Sequence, residues 1–356
     1  MVKDNLKPYI AVEDATLVEV MEKISDNTKG VIFVVSQNGE LNGCITDGDI
    51  RRWILKTGSL EAKAYQLMNT EPKYLFENDR QRAQECMKEY EITAIPILNM
   101  QRVIIDVVFY SGQLQIADNS DKIVGDICVV VMAGGEGTRL YPYTKILPKP
   151  LIPIGDVPIL ERIMNKFYAS GISNFYVTVN YKKEMIKAYF TDAKPDYSIN
   201  YVEEDKPLGT AGSIKLIDDK LSNPVIITNC DTLIDVNYEQ LINYHNISNN
   251  ALTIVSALKS AVIPYGVLHS TEGGMITSME EKPKMSYFIN TGLYVLNPDL
   301  IEKIPDNTFF HMTDLANMLL KEGYQVGMYP ITEDDFLDMG EFEEMKRMEK
   351  RINKDE

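Results

Sequence analysis

A glycine-rich turn directly after a buried strand constrains this chain more than any other part of its sequence. The stretch Val129–Ile154 reads VVVMAGGEGTRLYPYTKILPKPLIPI. It overlaps the apolar run Ile127–Met132, which is typical of a buried strand. The glycines that follow allow a sharp turn and let backbone N–H groups approach an anion. The sequence therefore predicts a strand that ends in a backbone cradle for a negatively charged group.

Two cations are fixed close to this cradle. Arg139 follows Gly134, Gly135 and Gly137, and Lys149 stands between two prolines whose rings stiffen the loop. A backbone cradle with two fixed cations suits a triphosphate. The spacing of the glycines matches neither the dinucleotide fingerprint nor the P-loop motif, so both of those nucleotide sites are excluded.

The full string, G-G-x-G-T-R-L-x-P-x-T-x-x-x-P-K-P-L, resembles the signature of the sugar-1-phosphate nucleotidyltransferases. The alternative is a glycine hairpin with two surface cations. The resemblance implies an α/β fold, with a Rossmann-like nucleotidyltransferase domain over residues 126–356 and a mostly parallel mixed sheet. The nucleotide-binding residues that it implies are Ala133, Gly134, Gly135, Gly137, Thr138, Arg139, Gly209, Thr210 and Ala211.

The last three of these belong to a second motif, PLGTAG at residues 207–212, between a predicted strand and a helix. In the family this segment contacts the nucleobase. Its form resembles guanylyltransferases more than thymidylyltransferases, which usually carry glutamine where Gly212 stands. Glycine would leave room for the guanine amino group, so the resemblance implies GTP as the substrate. The alternative is an ordinary helix start that contains glycine.

Two acidic residues far apart in the sequence are implied as ligands of one Mg²⁺. Asp231 ends the predicted strand at residues 225–230, and Asp338 lies in a late D-x-G motif. Cys230 departs from the family pattern, which usually has glycine there. Mg²⁺ prefers a few hard oxygen ligands and retains waters and substrate phosphates. The alternative is that both residues are solvated surface acids. The acid-rich surroundings of Asp338 favour this alternative more for Asp338 than for Asp231.

Three later segments are implied to hold the sugar phosphate. In the family, Glu281 would accept hydrogen bonds from sugar hydroxyls and Lys282 would pair with the 1-phosphate. Considered alone, their E-E-K-P sequence is a charged loop at the end of a predicted strand. The residues implied by the resemblance are Tyr265, Gly266, Glu281, Lys282, Asn290 and Gly292.

The implied reaction joins a nucleoside triphosphate to a sugar 1-phosphate and releases pyrophosphate. The attacking phosphate oxygen is already anionic, so charge neutralisation and alignment dominate the barrier. The implied catalytic residues are Arg139, Lys149 and Asp231. The net charge of −16 argues against nucleic acid as a partner and requires the cations to be concentrated locally.

Residues 1–115 contain a weak internal repeat of helix, strand and strand. The segments Gly43–Arg52 and Ala94–Leu98 resemble CBS domains, so we expect a tandem CBS module of the α+β class. The resemblance implies an adenine nucleotide, with Thr46 on its phosphate and Asp49 on its ribose, and a homodimer. The second copy lacks both residues, and the alternative is a module that only pairs subunits. Residues 116–125 are predicted to be a linker.

The chain as a whole resembles CBS-containing guanylyltransferases that act on glucosamine 1-phosphate in the route to legionaminic acid. Mannose, heptose and glucose 1-phosphates stay open as substrates, and a catalytically silent nucleotide sensor is an alternative of another class. No apolar run is long enough for a membrane span. Four scattered cysteines fit reduced thiols, so we expect a cytoplasmic enzyme.

Overall fold

The computed structural model describes residues 4–27, 29–90, 92–110, 127–217, 221–340, 344–346 and 348–350. The chain forms two compact units. The first comprises Met1–Asp118, Ala257–Ile289 and Pro330–Asp334, and the second comprises Asn119–Ser256, Asn290–Tyr329 and Asp335–Glu356. The predicted linker at 116–125 lies outside the described residues, and the predicted domain boundaries beside it stay a prediction.

The N-terminal part of the first unit contains two copies of a strand–helix–strand–strand pattern. Its elements are β1 (Ile10–Val12), α1 (Leu17–Asn27), β2 (Val31–Val35), β3 (Leu41–Thr46), α2 (Asp47–Thr57), α3 (Ala64–Leu67), β4 (Leu75–Phe76), α4 (Ala83–Glu89), β5 (Ala94–Leu98) and β6 (Ile104–Phe109). The sheets are β1-β2-β3 and β4-β5-β6, each with one parallel and one antiparallel pairing. The predicted repeat is confirmed, and each copy also begins with a short strand that the sequence pattern does not indicate.

The two copies share one apolar core. Phe33 and Leu41 from the first copy are buried in the same cluster as Leu98 and Ile104 from the second. Each three-stranded sheet has one apolar face to bury, and joining these faces gives both sheets a common interior. This packing explains why the repeat forms one module.

The elements from residue 127 onward alternate between strands and helices. The strands are β7 (Cys128–Met132), β8 (Pro153–Ile154), β9 (Val157–Pro158), β10 (Asn174–Val179), β11 (Ser198–Glu203), β12 (Val225–Asn229), β13 (Thr232–Ile234), β14 (Leu252–Val262), β15 (Gly266–Ser270), β16 (Ile276–Glu281), β17 (Lys284–Leu296), β18 (Val326–Ile331) and β19 (Phe336–Asp338). The helices are α5 (Ile159–Ala169), α6 (Lys183–Ala193), α7 (Gly209–Gly212), α8 (Tyr238–Ile247) and α9 (Met312–Lys321). No helix among the described residues is long and apolar enough to cross a membrane.

A seven-stranded sheet in the order β11-β10-β7-β12-β17-β14-β18 organises the second unit. Strands β11, β10, β7 and β12 run parallel, and β17 is antiparallel to β12, which makes the sheet mixed as predicted. Strand β7 is fully buried between β10 and β12, and this explains its uninterrupted valines. The glycine-rich turn therefore begins at the carboxyl end of a central strand, where ligands bind in open α/β sheets.

Three boundaries differ from the sequence expectation. The sequence pattern predicts a helix over Thr313–Lys321 with its cap at Thr313. This boundary is wrong, because α9 begins at Met312 and the His311 backbone N–H donates to Asp314 Oδ2 at 2.9 Å. The charged run Asp338–Lys350 is predicted to be a final helix, but Asp338 instead ends strand β19, because β19 pairs with β13. Glu281 belongs to β16 instead of following it, because Glu281 pairs with Gly266 across the hairpin.

Candidate active site

A cleft of about 400 Å³ opens in the second unit at the carboxyl ends of β7 and β12. Met132 and Asn229, the last residues of these two strands, both line it. The predicted site residues that line the cleft are Gly134, Gly135, Gly137, Thr138, Arg139, Lys149, Gly209, Thr210 and Asp231. Ala133 and Ala211 are buried behind this surface. Motifs that are far apart in the sequence thus meet around a single cavity.

The glycine-rich turn lies against two other segments that line the cleft or support it. A Cβ atom at Gly134 would lie 2.3 Å from Glu204 Oε1, so a side chain there would require the Glu204 carboxylate to move. Gly137 has a φ of +66°, and the Thr144 hydroxyl donates to its carbonyl at 2.9 Å. The turn is therefore held in one conformation, with its backbone facing the cavity.

Lys149 and Asp231 form an ion pair in this cleft. Each side chain is only 12% exposed, so solvent screens the pair weakly. Lys149 begins a short 3₁₀ turn, and Asp231 lies two residues after the end of β12. The structure thus brings together two of the three residues that the sequence predicts to be catalytic.

Asp338 lies beside Asp231. In the antiparallel pair of β13 and β19, Thr232 is opposite Asp338, and the Met339 backbone N–H donates to the Asp231 carbonyl at 2.9 Å. Burial and the Asp231 carboxylate raise the pKa of Asp338 above its usual value. Arg139 is close as well, because a Cβ atom at Gly340 would lie 3.0 Å from Asp338 Oδ2 and 3.3 Å from Arg139 Nη1.

The two carboxylates are compatible with a bound divalent ion. Burial and the negative charge of Asp231 both disfavour the ionised Asp338 carboxylate, and a divalent ion relieves such repulsion between carboxylates. Mg²⁺ needs only a few protein oxygens when phosphates and water supply the rest. Among the described residues no cluster of three or more His, Cys, Asp and Glu has metal-binding geometry, so a fully protein-built cage is absent there. Burial raises the pKa of the Cys230 thiol to about 12, which disfavours a thiolate ligand.

Three residues that line the cleft, Glu204, Phe309 and His311, are missed by the sequence analysis. Glu204 is 5% exposed, and its Oε2 accepts a hydrogen bond from the Leu208 backbone N–H at 3.0 Å. Burial raises the pKa of the Glu204 carboxyl above its usual value. A glutamate directly after a strand and three residues before the PLGTAG motif is the signal that could have identified it.

The PLGTAG segment is fixed by the backbone that precedes α9. The Phe310 carbonyl accepts hydrogen bonds from the backbone N–H groups of Ala211 and Gly212 at 2.9 and 3.0 Å. Gly212 does not line the cleft, and a Cβ atom there would lie 2.5 Å from the Thr308 carbonyl oxygen. The structure therefore explains this glycine by packing, which corrects the expectation that it leaves room for the guanine amino group.

The predicted sugar-phosphate residues fall into two groups, one in each unit. Tyr265, Gly266, Glu281 and Lys282 lie in or beside the hairpin of β15 and β16 in the first unit. Asn290 and Gly292 lie in the second unit, and neither lines the cleft. Asn290 Oδ1 accepts from the Gly292 backbone N–H at 3.0 Å, and Gly292 has a φ of +84°.

Thr46 and Asp49 form the N-terminal capping box of α2. The Thr46 hydroxyl and backbone N–H donate to Asp49 Oδ2 at 2.7 and 2.9 Å. Asp49 Oδ1 pairs with Arg52 at 2.5 Å. The two predicted nucleotide contacts are therefore adjacent, and both already have protein partners.

Comparison with known proteins identifies two families in this chain. Residues 128–355 match the nucleotidyl transferase family, and residues 2–56 match the CBS domain family. The predicted fold class, a nucleotidyltransferase α/β fold with a mixed sheet and an N-terminal CBS domain, is confirmed.

Individual relatives refine the comparison. A D-glycero-α-D-manno-heptose 1-phosphate guanylyltransferase of Campylobacter jejuni is 31% identical over 214 residues, which cover 59% of this chain and 93% of that protein. A mannose-1-phosphate guanyltransferase of Candida albicans is 34% identical over 184 residues, which cover 49% of this chain and 51% of that protein. The chain thus spans about half the length of the mannose relatives. The crystal structure of HddC from Yersinia pseudotuberculosis aligns with a TM-score of 0.50 at 26% identity, covering 63% of this chain and 99% of that one.

Proposed function

Because this chain belongs to the nucleotidyl transferase family, we propose that it is a sugar-1-phosphate guanylyltransferase. The observation that carries the proposal is the cleft at the ends of β7 and β12, which is lined by the glycine turn, Arg139 and the Lys149–Asp231 pair. Asp338 lies beside Asp231. The Campylobacter and Candida relatives are both named as guanylyltransferases of a sugar 1-phosphate, and these names support GTP as the nucleotide.

The proposed reaction requires neutralisation of charge. An oxygen of the sugar phosphate attacks the α-phosphorus of GTP, and the bond to the pyrophosphate oxygen breaks. Arg139 would stabilise the leaving pyrophosphate, and Lys149 would neutralise charge between the reacting phosphates. Asp231 and Asp338 would hold Mg²⁺, which when bound neutralises phosphate charge and orients the substrates.

For the sugar we propose glucosamine 1-phosphate, in a route to legionaminic acid. The N-terminal CBS domain together with the PLGTAG motif supports this choice. The alternatives are mannose and heptose 1-phosphates, which the names of the relatives support, and glucose 1-phosphate.

A grid of reactions tests both substrates. Each of GTP, dTTP, ATP, UTP and CTP is mixed with each sugar 1-phosphate and Mg²⁺, and pyrophosphate release is measured. We expect the fastest release with GTP and glucosamine 1-phosphate. A faster rate with another sugar 1-phosphate would identify that compound, instead of glucosamine 1-phosphate, as the substrate. No pyrophosphate release in any of the reactions would favour a nucleotide sensor that has lost catalysis.

Glu204 supports the preference for guanine. Guanine presents its N1–H and 2-amino group side by side, and one carboxylate can accept from both. Thymine and uracil offer one N–H between two carbonyl groups. A carboxylate that accepts from this N–H is repelled by the carbonyl oxygens beside it. Glu204 lies beside the PLGTAG segment, because its other oxygen accepts from the Leu208 backbone N–H. We therefore propose that Glu204 selects GTP.

Replacing Glu204 with glutamine tests this role. We expect Glu204→Gln to lower kcat/KM for GTP by roughly ten- to hundredfold, because hydrogen bonds to a charged group are lost. The value for dTTP should stay the same or rise. The matched control is Glu203→Gln, since Glu203 is a neighbouring glutamate that pairs with Lys183 and Lys187 at the surface. An equal fall for both nucleotides would contradict the proposed selection.

We further propose that the CBS module binds an adenine nucleotide and that the protein is a homo-oligomer in the cytoplasm. Four free thiols at Cys44, Cys86, Cys128 and Cys230 support a reducing compartment. An adenine nucleotide would have to replace the partners that Thr46 and Asp49 have in the capping box. Calorimetric titration with AMP and ATP measures whether it does.

A further inference from the structure

We propose that Phe309 stacks on the nucleobase of the bound nucleotide, a role that rests on the proposed function and adds a binding residue to it. Phe309 is 60% exposed although it is a large aromatic side chain, and it lines the cleft together with Glu204 and Gly209. A stacked base would cover this ring and remove its apolar surface from water.

The position of Phe309 is fixed by its neighbours in the chain. Its successor Phe310 donates through its backbone N–H to the Leu208 carbonyl at 2.9 Å and accepts from the backbone of Ala211. The Met312 backbone N–H donates to the Thr210 hydroxyl at 3.0 Å. The segment before α9 is therefore attached to the PLGTAG motif at Phe310 and Met312, just after Phe309, and this places Phe309 beside that motif.

The orientation of the ring is also constrained. Phe309 and His311 are in an edge-to-face arrangement, with ring centroids 4.7 Å apart and an interplanar angle of 81°. His311 lines the same cleft. Because Phe309 is 60% exposed beside His311, ring surface is available to a planar ligand group.

A base fits Phe309 better than a phosphate does. The cations of the cleft, Arg139 and Lys149, belong to the glycine turn and the loop that follows it, whereas Phe309 is grouped with Glu204 and the PLGTAG motif. A phenyl ring offers no positive charge to a phosphate, but its surface stacks on any base. The cleft thus combines cations that suit phosphates with an aromatic ring that suits a base.

Binding measurements with and without a base test the stack. By calorimetry we expect Phe309→Ala to weaken GTP binding by roughly five- to hundredfold. Binding of tripolyphosphate, which has no base, should be unchanged, and Phe309→Tyr should restore GTP binding. Leu320→Ala is the matched control, because Leu320 is a 56% exposed apolar residue of α9 that does not line the cleft.

A fluorescent reporter gives a second measurement that does not depend on activity. The chain has a single tryptophan, Trp53, in the first unit. In the variant Trp53→Phe with Phe309→Trp, the only indole then stands at the proposed stacking position. We expect GTP to quench its emission with the calorimetric Kd, and tripolyphosphate to leave it unchanged.

The outcomes separate the stack from the proposed function. Unchanged GTP affinity in Phe309→Ala would overturn the stack, and so would GTP binding without quenching of the reporter. Either result would leave guanylyl transfer intact if the wild-type protein releases pyrophosphate. Quenching by GTP in a protein that releases no pyrophosphate across the reaction grid would support the stack and contradict the transferase function.

Discussion

We expect Lys149→Ala to lower kcat for GDP-sugar formation by about a hundredfold or more, the usual effect of removing one group that stabilises transition-state charge. Lys149 is 12% exposed, so its ammonium acts where water screens charge weakly. Its ion-pair partner is Asp231, and a bound triphosphate would bring further negative charge to the same place. Steady-state turnover at saturating GTP and sugar 1-phosphate measures the loss.

We expect Asp231→Asn to lower kcat by a similar factor for a different reason. The change removes a proposed metal ligand and leaves Lys149 without its partner carboxylate in a site with little water. The metal dependence of the rate distinguishes the two variants. Asp231→Asn should need more Mg²⁺ for half-maximal rate, whereas Lys149→Ala should need no more than the wild-type protein.

A second lysine–aspartate pair in the same unit provides the control. Lys166 and Asp235 are 2.8 Å apart, but Asp235 is 75% exposed, so the pair is solvated. Exposed pairs contribute little to stability, and this one does not line the cleft. Lys166→Ala should therefore keep kcat near the wild-type value. Near-wild-type kcat in both Lys149→Ala and Asp231→Asn would refute the assignment of the catalytic pair.

The sequence predicts those parts of the site that are contiguous in the chain. The turn from Gly134 to Arg139 follows a strand with uninterrupted valines, so its position at the carboxyl end of a buried strand follows from local pattern alone. Asp338 is different, because its place beside Asp231 depends on the pairing of β13 with β19. The charged residues around Asp338 favour a helix locally, and strand pairing with a distant segment overrides that preference.

Other parts of the site have no signal in the local sequence. Phe309 and His311 belong to the segment that precedes α9. They line the cleft because this segment is hydrogen-bonded to the PLGTAG motif, roughly 100 residues earlier in the chain. No periodicity encodes that contact. The short strands β1 and β4 also lack a periodic signal, because three and two residues are too few to show alternation.

The role of individual glycines also becomes clear only from packing. In the sequence Gly209 and Gly212 both appear as parts of a nucleotide motif. In the structure a Cβ atom at either position would overlap a carbonyl oxygen of the segment before α9, at 2.6 and 2.5 Å. These glycines therefore hold two distant segments together, and we infer that the same contact gives the cleft its shape.

Gly209→Ala tests that inference and should be strongly destabilising. Gly209 has a φ of +78°, which costs a residue with a side chain about 1–2 kcal/mol, and the new methyl group would overlap the Phe310 carbonyl, at a further cost of about 1–3 kcal/mol. We expect the free energy of unfolding to fall by about 2–5 kcal/mol in urea denaturation. Gly135→Ala is the control, because no atom lies within 4 Å of its added Cβ and its φ is not positive. If both variants unfold at the same urea concentration, the contact between Gly209 and Phe310 does not hold these segments together.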